Sequence, residues 1–207
     1  VDGGNIVTCH GGNQTRYALA AIPLTRGGSI GFQVENAMAA IGAAWALNLD
    51  PATIRAGLAT FVNDAGTAPG RFNVFDYRGA TVIADYGHNP DAIAALAQAV
   101  ETMPARRRSV VISGAGDRRD EDIRRQTQIL GDAFDDVLLY QDQCQRGRED
   151  GEVLGLLREG LVEIHGEFVA IDTALARLQP GDLCLILIDQ VDDALAHLSE
   201  RVAQASS

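Results

Sequence analysis

The sequence predicts an α/β fold in which a largely parallel sheet is covered by helices on both faces. Short apolar runs alternate with helical patterns over the second half of the chain, which is typical of a parallel sheet with helical crossovers. The composition, 46% hydrophobic and 22% charged residues over 207 positions, is that of a globular protein with one or two packed cores.

The first part of the chain combines short strands with two helices. Residues 1–24 alternate loosely and contain four glycines, which favours strands joined by turns. Small and apolar residues at helical spacing predict a helix from Val34 to Leu49, with Trp45 in the core. A second helix is predicted to begin at Pro51, with Asp50 as its N-cap.

Turn-forming residues then indicate a linker. The segment 63–70, NDAGTAPG, has no apolar period. We place a domain boundary near Ala68, which divides the chain into residues 1–68 and 69–207.

The second part begins with a predicted hairpin, in which Phe72–Tyr77 and Ala80–Ala84 turn at Arg78-Gly79. The further predicted strands are Ser109–Ser113, Asp136–Tyr140, Glu167–Ile171 and Leu183–Ile188, and the predicted helices are Pro90–Thr102, Glu121–Phe134, Gly151–Ile164, Thr173–Leu178 and Val191–Ala203. In such sheets ligands bind at the carboxyl ends of the strands, and the polar motifs of this chain follow directly after strands.

The first polar motif is DYGHNP at 85–90, which places a carboxylate, an imidazole and an amide on one strand-to-helix turn. Asp85, His88 and Asn89 can therefore meet one ligand. The alternative is a capped turn with Asn89 as N-cap and His88 exposed.

Two further motifs are rich in arginine. In GAGDRRDED at 114–122, backbone N–H groups at a helix start and the Arg118 guanidinium can bind an anion, although the acids alone can stabilise a solvent-facing helix. In RGRED at 146–150, Arg146, Arg148 and Asp150 can clamp a charged substrate, or can be solvated loop charges.

Three candidate residues lie outside these turns. Arg71 follows the linker, where a hinge arginine can swing onto phosphates, but a plain surface arginine is the alternative. Gln33 and Asn36 can hydrogen-bond the edge of a base, or can serve in helix capping.

Charge and composition exclude several functions. All 17 basic residues are arginines, so the chain itself has no P-loop lysine and no Schiff-base lysine. A net charge of −11 argues against nucleic-acid binding. Three cysteines without metal-binding spacing, and the lack of a leader or membrane-spanning segment, predict a cytoplasmic protein without a membrane partner.

Four ordered segments, at 31–58, 69–96, 115–142 and 146–152, resemble the Mur ligase superfamily of ATP-dependent amide ligases. Within it they look most like the carboxyl-terminal part of cyanophycin synthetases. The resemblance implies a Rossmann-like carboxyl-terminal domain preceded by the end of a P-loop-type central domain. The P-loop itself would lie upstream.

The resemblance also implies a reaction. ATP, with Mg²⁺, phosphorylates a carboxylate, and an amine attacks the resulting acyl phosphate. In cyanophycin synthetases L-arginine is joined to the aspartate β-carboxylate of a cyanophycin primer. The implied partners are upstream domains of the same polypeptide and further copies in a homo-oligomer, so the chain alone is expected to be inactive.

By motif, the resemblance assigns catalytic roles to Arg71, Asp85 and His88. It places Gln33 and Asn36 at the adenine, Arg71 at the phosphates, and Asp85 at the ribose or phosphate edge, with His88 and Asn89 on the same turn. It also places Arg118 at a phosphate-facing position, and Arg146, Arg148 and Asp150 in the loop that selects the amino acid. The Mg²⁺ ligands are expected mostly upstream. The alternatives are another Mur-type peptide ligase or a non-catalytic nucleotide-binding or assembly module.

Overall fold

A computed structural model describes residues 1–113, 120–141 and 162–205. The chain divides into two compact units, Val1–Asn63 and Asp64–Ser207. The assignment of residues 1–68 and 69–207 to the central and carboxyl-terminal domains of a ligase stays a prediction.

The first unit contains a hairpin and two helices, as the sequence predicts. Strands β1 (Asn5–His10) and β2 (Asn13–Ala18) pair antiparallel, and two short 3-10 turns lead into α1 (Gly31–Ala46) and α2 (Pro51–Thr60). Asp50 caps α2 by accepting hydrogen bonds from the N–H groups of Ala52 and Thr53, which confirms its predicted role.

The core of this unit is small. It consists of apolar residues from the hairpin, the turns and both helices: Ile6, Tyr17, Leu19, Ile22, Val34, Ala37, Ile41 and Ile54. The prediction that Trp45 lies in the core is wrong, because 45% of its surface is exposed and its ring meets His10 edge-on. The buried stripe of α1 ends at Ile41, one turn before Trp45.

The second unit is built on a mixed sheet. Its described elements are β3 (Asn73–Tyr77), β4 (Ala80–Asp85), α3 (Pro90–Glu101), β5 (Arg108–Ile112), α4 (Asp120–Ala133), β6 (Asp136–Gln141), β7 (Val162–His165), α5 (Glu167–Arg177), β8 (Leu183–Leu187) and α6 (Val191–Ala205). Among the described residues the sheet has six strands in the order β3-β4-β8-β5-β6-β7, and only the β3–β4 pair is antiparallel.

The hairpin prediction is confirmed, and the prediction for the fourth strand is wrong. Arg78 and Gly79 both have positive φ, as a tight two-residue hairpin turn requires. Residues 167–171 begin helix α5 instead of forming a strand, because Glu167, Ala170, Ile171 and Ala174 are buried at helical spacing. The predicted helix Gly151–Ile164 lies mostly outside the described residues, and its last three positions belong to β7.

Helices cover both faces of the sheet. On one face, side chains of α5 and α6 form a single cluster with alternate strand residues such as Val82, Val111 and Ile186. The intervening strand residues, Ile83, Val110 and Leu185 among them, are buried as well. Helices α3 and α4 pack on each other, and their buried apolar residues include Ile93, Leu96 and Leu130. In the described part of the chain no helix is long and apolar enough to span a membrane.

The arginines at 106–108 hold together the amino-terminal edge of the sheet. Arg106 donates to the buried carboxylate of Asp182, and Arg107 pairs with Asp136. The Arg108 guanidinium donates to the carbonyl oxygens of Val100 and Met103 at the end of α3.

Candidate active site

Polar side chains gather at the carboxyl edge of the sheet, where β4 and its neighbour β8 end. Asp85 is the last residue of β4, and its carbonyl oxygen accepts a hydrogen bond from the N–H of Ile188. Asp189 follows at the end of β8. The sequence motif DYGHNP therefore lies where open α/β sheets bind ligands.

Asp85 holds the loop that carries Arg71. Its Oδ2 accepts a hydrogen bond of 2.8 Å from the N–H of Phe72, a buried residue whose φ is 52°. A non-glycine residue at positive φ is held there by its surroundings. Burial raises the pKa of Asp85 to about 6, although the N–H groups of Phe72 and Gly87 and the charge of Arg71 act in the opposite direction.

Further hydrogen bonds fix the same loop. Asn73, which is buried, accepts from the N–H of Gly70 and donates to the carbonyl oxygen of Ala68. The N–H of Tyr86 donates to the carbonyl oxygen of Gly70. Arg71 is thus an exposed side chain on a loop tied to β4, and its movement onto a phosphate stays a prediction.

The His88 side chain is covered beside Asp189, just after β8, so the alternative in which it is exposed is wrong. Its side chain is 8% exposed, and its Nε2 lies 3.1 Å from Oδ1 of Asp189. The ring of Tyr86 lies against the imidazole, with the two centroids 4.4 Å apart. The structure therefore presents an imidazole oriented by a carboxylate, an arrangement suited to proton transfer.

Asn89 has the capping role that was the alternative for it. Its Oδ1 accepts a hydrogen bond of 2.8 Å from the N–H of Ala92 at the start of α3. A role for Asn89 in nucleotide binding stays a prediction.

Several residues of this edge were missed by the sequence reasoning, among them Asp189, the partner of His88. Gln126 of α4 donates to the carbonyl oxygen of His88. Glu167, at the start of α5, accepts from the N–H groups of Asp189 and Gln190, and the hydroxyl of Tyr140 at the end of β6 donates to it. The helical spacing of Glu167 with the apolar residues of α5 was the available signal, since it places this acid on the buried face.

The adenine candidates lie in the first unit. Gln33 is buried on α1, and its Oε1 accepts a hydrogen bond of 3.0 Å from Nδ2 of the exposed Asn36. Neither side chain caps the helix, whose N-cap is Ile30, so the capping alternative is wrong. Two paired amides are suited to the edge of a base.

The other predicted residues fall outside the described part of the chain. These are Arg118, Arg146, Arg148 and Asp150. Within the described residues no group of three or more His, Cys, Asp or Glu side chains has the arrangement of a metal site.

Comparison with known proteins assigns the family. The model of the Mur ligase, glutamate ligase domain, matches residues 70–187, which include Asp85, His88 and Glu167 and end two residues before Asp189. The chain belongs to the Mur ligase family.

Relatives within the Mur ligase family include two curated enzymes and a solved structure. The chain is 34% identical over 189 residues to the cyanophycin synthetase of Synechocystis sp., covering 87% of this chain and 22% of that enzyme. It is also 34% identical over 159 residues to the UDP-N-acetylmuramoyl-L-alanyl-D-glutamate–2,6-diaminopimelate ligase of Bradyrhizobium diazoefficiens, covering 75% and 32% of the two chains. The E. coli protein FolC in complex with ADP superposes with a TM-score of 0.64 at 27% identity, over 83% of this chain and 40% of that one.

The close packing of Gly87 in this Mur ligase chain gives a first prediction. A Cβ at position 87 would lie 2.7 Å from Cδ1 of Leu96 and 3.0 Å from Oδ1 of Asp85. We expect Gly87→Ala to lower the free energy of unfolding by about 1–3 kcal/mol, because both neighbours must move. The matched control is Gly131→Ala on the exposed side of α4, where a Cβ meets nothing within 4 Å and a gain of about 0.5–1 kcal/mol is expected. Urea unfolding of both variants measures the difference, and equal stabilities would contradict the prediction.

The buried carboxyl of Asp85 gives a second prediction. Its folded pKa of about 6 lies above the value near 3.9 of an unfolded chain, so the folded state binds the extra proton between these pH values. The free energy of unfolding should therefore fall by about 2–3 kcal/mol as the pH rises through this window. Asp85→Asn should remove this part of the pH dependence.

Urea unfolding at closely spaced pH values from acid to neutral measures this pH dependence of the free energy of unfolding. The control is Asp132→Asn, which changes an exposed carboxylate of α4 and should leave the slope intact. An Asp85→Asn chain with the pH slope of the unmodified chain would show that Asp85 ionises normally.

Proposed function

We propose that this chain supplies the carboxyl-terminal domain and the end of the ATP-binding domain of an ATP-dependent amide ligase that makes cyanophycin. The reaction joins the α-amine of L-arginine to the β-carboxylate of an aspartate in the polymer. The main support is the Asp85–His88 turn, which brings a buried carboxylate and a carboxylate-paired imidazole to the carboxyl edge of the sheet. The similarity to cyanophycin synthetases favours this substrate over others.

The first half of the reaction transfers the γ-phosphoryl group of ATP to the aspartate carboxylate. A carboxylate and a triphosphate repel each other, so the site needs fixed positive charge. Arg71 fits this need, because its guanidinium is exposed on a loop that Asp85 and Asn73 hold in place. Mg²⁺ would offset further phosphate charge when bound, with ligands expected mostly from upstream domains.

The second half forms the amide bond. The nitrogen of arginine attacks the acyl carbon, the C–O bond to phosphate breaks, and inorganic phosphate leaves. The ammonium group must lose a proton before its nitrogen can attack. His88, oriented by Asp189, is the proposed acceptor of that proton.

The remaining assignments complete the proposal. Gln33 and Asn36 bind the adenine, and Asn89 and Arg118 contribute to the nucleotide site. The loop with Arg146, Arg148 and Asp150 selects the amino acid, where Asp150 suits the guanidinium of an arginine substrate. The working enzyme contains upstream domains of the same polypeptide, forms a homo-oligomer and acts in the cytoplasm.

A replacement experiment tests the proposed function. This chain is put in place of the matching 189-residue region of the Synechocystis cyanophycin synthetase. With ATP, Mg²⁺, L-arginine and primer, the chimeric enzyme should release ADP and extend the polymer, and the isolated chain should do neither. A folded but inactive chimera, or polymer extension by the isolated chain, would contradict the proposal.

Within the active chimera, Arg71→Ala and Asp85→Ala should each lower turnover about 100-fold or more, because both act where charge develops. Arg177→Ala is the control, since this exposed arginine lies at the end of α5, near the amino-terminal edge of the sheet. Unchanged turnover in both site variants would overturn their assigned roles.

Substrate choice separates the proposal from its nearest competitor. The second candidate function is that of another Mur-type peptide ligase, and the similarity to a diaminopimelate ligase supports it. In the chimera, L-arginine should support ADP release at least about tenfold better than L-lysine or diaminopimelate, because a guanidinium can pair bidentately with a carboxylate. A preference for diaminopimelate would favour the second candidate.

A further inference from the structure

Glu167 is a buried carboxylate at the carboxyl edge of the sheet. It is the first residue of α5 and is 4% exposed. Its Oε1 accepts a hydrogen bond of 2.8 Å from the N–H of Asp189, and its Oε2 accepts one of 3.2 Å from the N–H of Gln190. The hydroxyl of Tyr140 lies 3.3 Å from Oε1.

This arrangement uses both oxygens of a carboxylate to hold two successive backbone N–H groups. Burial and the charge of Asp189 raise the pKa of Glu167, and the three donors act in the opposite direction. A buried carboxyl group is costly unless donors meet it. A glutamine could not replace it, because one of the two N–H groups would face the NH₂ of the amide.

Asp189 connects these hydrogen bonds of Glu167 to His88. Asp189 presents its backbone N–H to Glu167 and its carboxylate to Nε2 of His88. On its other side, the carbonyl oxygen of His88 accepts from Gln126, a residue that is 1% exposed. Gln126 of α4 therefore holds the backbone of His88, and Asp189 holds its imidazole ring.

We propose that Glu167 is a positioning residue of the ligase site: it fixes the turn after β8 so that the Asp189 carboxylate holds the His88 imidazole. The proposal rests on the proposed function only in giving His88 a catalytic role. Its structural part, the coupling of Glu167 to Asp189 and His88, holds for the chain itself. The two parts are tested by separate measurements.

The structural part is measured by NMR on the isolated 207-residue chain. Glu167→Gln should speed hydrogen exchange of the Asp189 and Gln190 amides about tenfold or more, since each loses or weakens its acceptor. It should also move the ring signals of His88 towards their positions in Asp189→Asn. Adding Glu167→Gln to Asp189→Asn should move these ring signals no further.

Two controls separate positioning from general loosening. Tyr140→Phe removes one donor but leaves both backbone hydrogen bonds, so exchange of the two amides should change less than about threefold. Glu200→Gln makes the same chemical change on the exposed side of α6 and should change neither signal. Unchanged amide exchange in Glu167→Gln, or unmoved His88 ring signals, would overturn the proposal.

The catalytic part is measured in the chimeric enzyme. Glu167→Gln should lower kcat about tenfold with little change in the KM for ATP, because a shifted imidazole impairs the chemical step more than nucleotide binding. The double variant with Asp189→Asn should be no slower than Asp189→Asn alone. A normal kcat beside an inactive Asp85→Ala variant would overturn the positioning role, whereas loss of all activity in the unmodified chimera would instead count against the proposed function.

Discussion

The N–H groups of Phe72, Asp189 and Gln190 point at buried carboxylates, and the carboxyl edge of the sheet depends on these contacts. A carboxylate removed from water must be met by donors, and here the loops that follow the strands supply them from their own backbone. Asp85 thereby holds the loop before β3, and Glu167 holds the turn after β8. Each acid joins segments that are distant in sequence, so the loops keep fixed positions relative to the strand ends.

The carboxylates at the two edges of the sheet have different partners. At the amino-terminal edge, Asp182 and Asp136 face the guanidinium groups of Arg106 and Arg107, which already neutralise them. At the carboxyl edge, Asp85 and Glu167 are met by neutral backbone donors, and burial raises the pKa of both. The charge of Arg71 offsets part of the burial effect on Asp85 but does not outweigh it, so negative charge at this edge is less fully compensated. This difference in charge compensation agrees with the rule that parallel sheets bind ligands at their carboxyl edge.

Local signals in the sequence were sufficient for much of the fold. Asp50-Pro51 and Asn89-Pro90 mark helix starts, and Arg78-Gly79 marks a hairpin, because each depends on neighbouring residues only. The segment 167–171 misled the prediction, since its β-branched residues favour a strand while its burial pattern is helical. The contacts of Glu167 with residues 22, 23 and 27 positions away have no spacing signature, so only the folded chain shows them.

The loop around Arg71 is tied to the sheet by hydrogen bonds. Phe72 bonds to the side chain of Asp85, and Gly70 bonds to the backbone of Tyr86, so the loop is tied to both β4 and the turn that follows it. A rotation of Arg71 relative to Asp85 would break these hydrogen bonds and expose a buried carboxylate. Arg71 must therefore move together with the sheet. The tie extends back to Ala68, whose carbonyl oxygen accepts a hydrogen bond from the Asn73 side chain, so the last three residues of the 63–70 linker motif are fixed to the second unit.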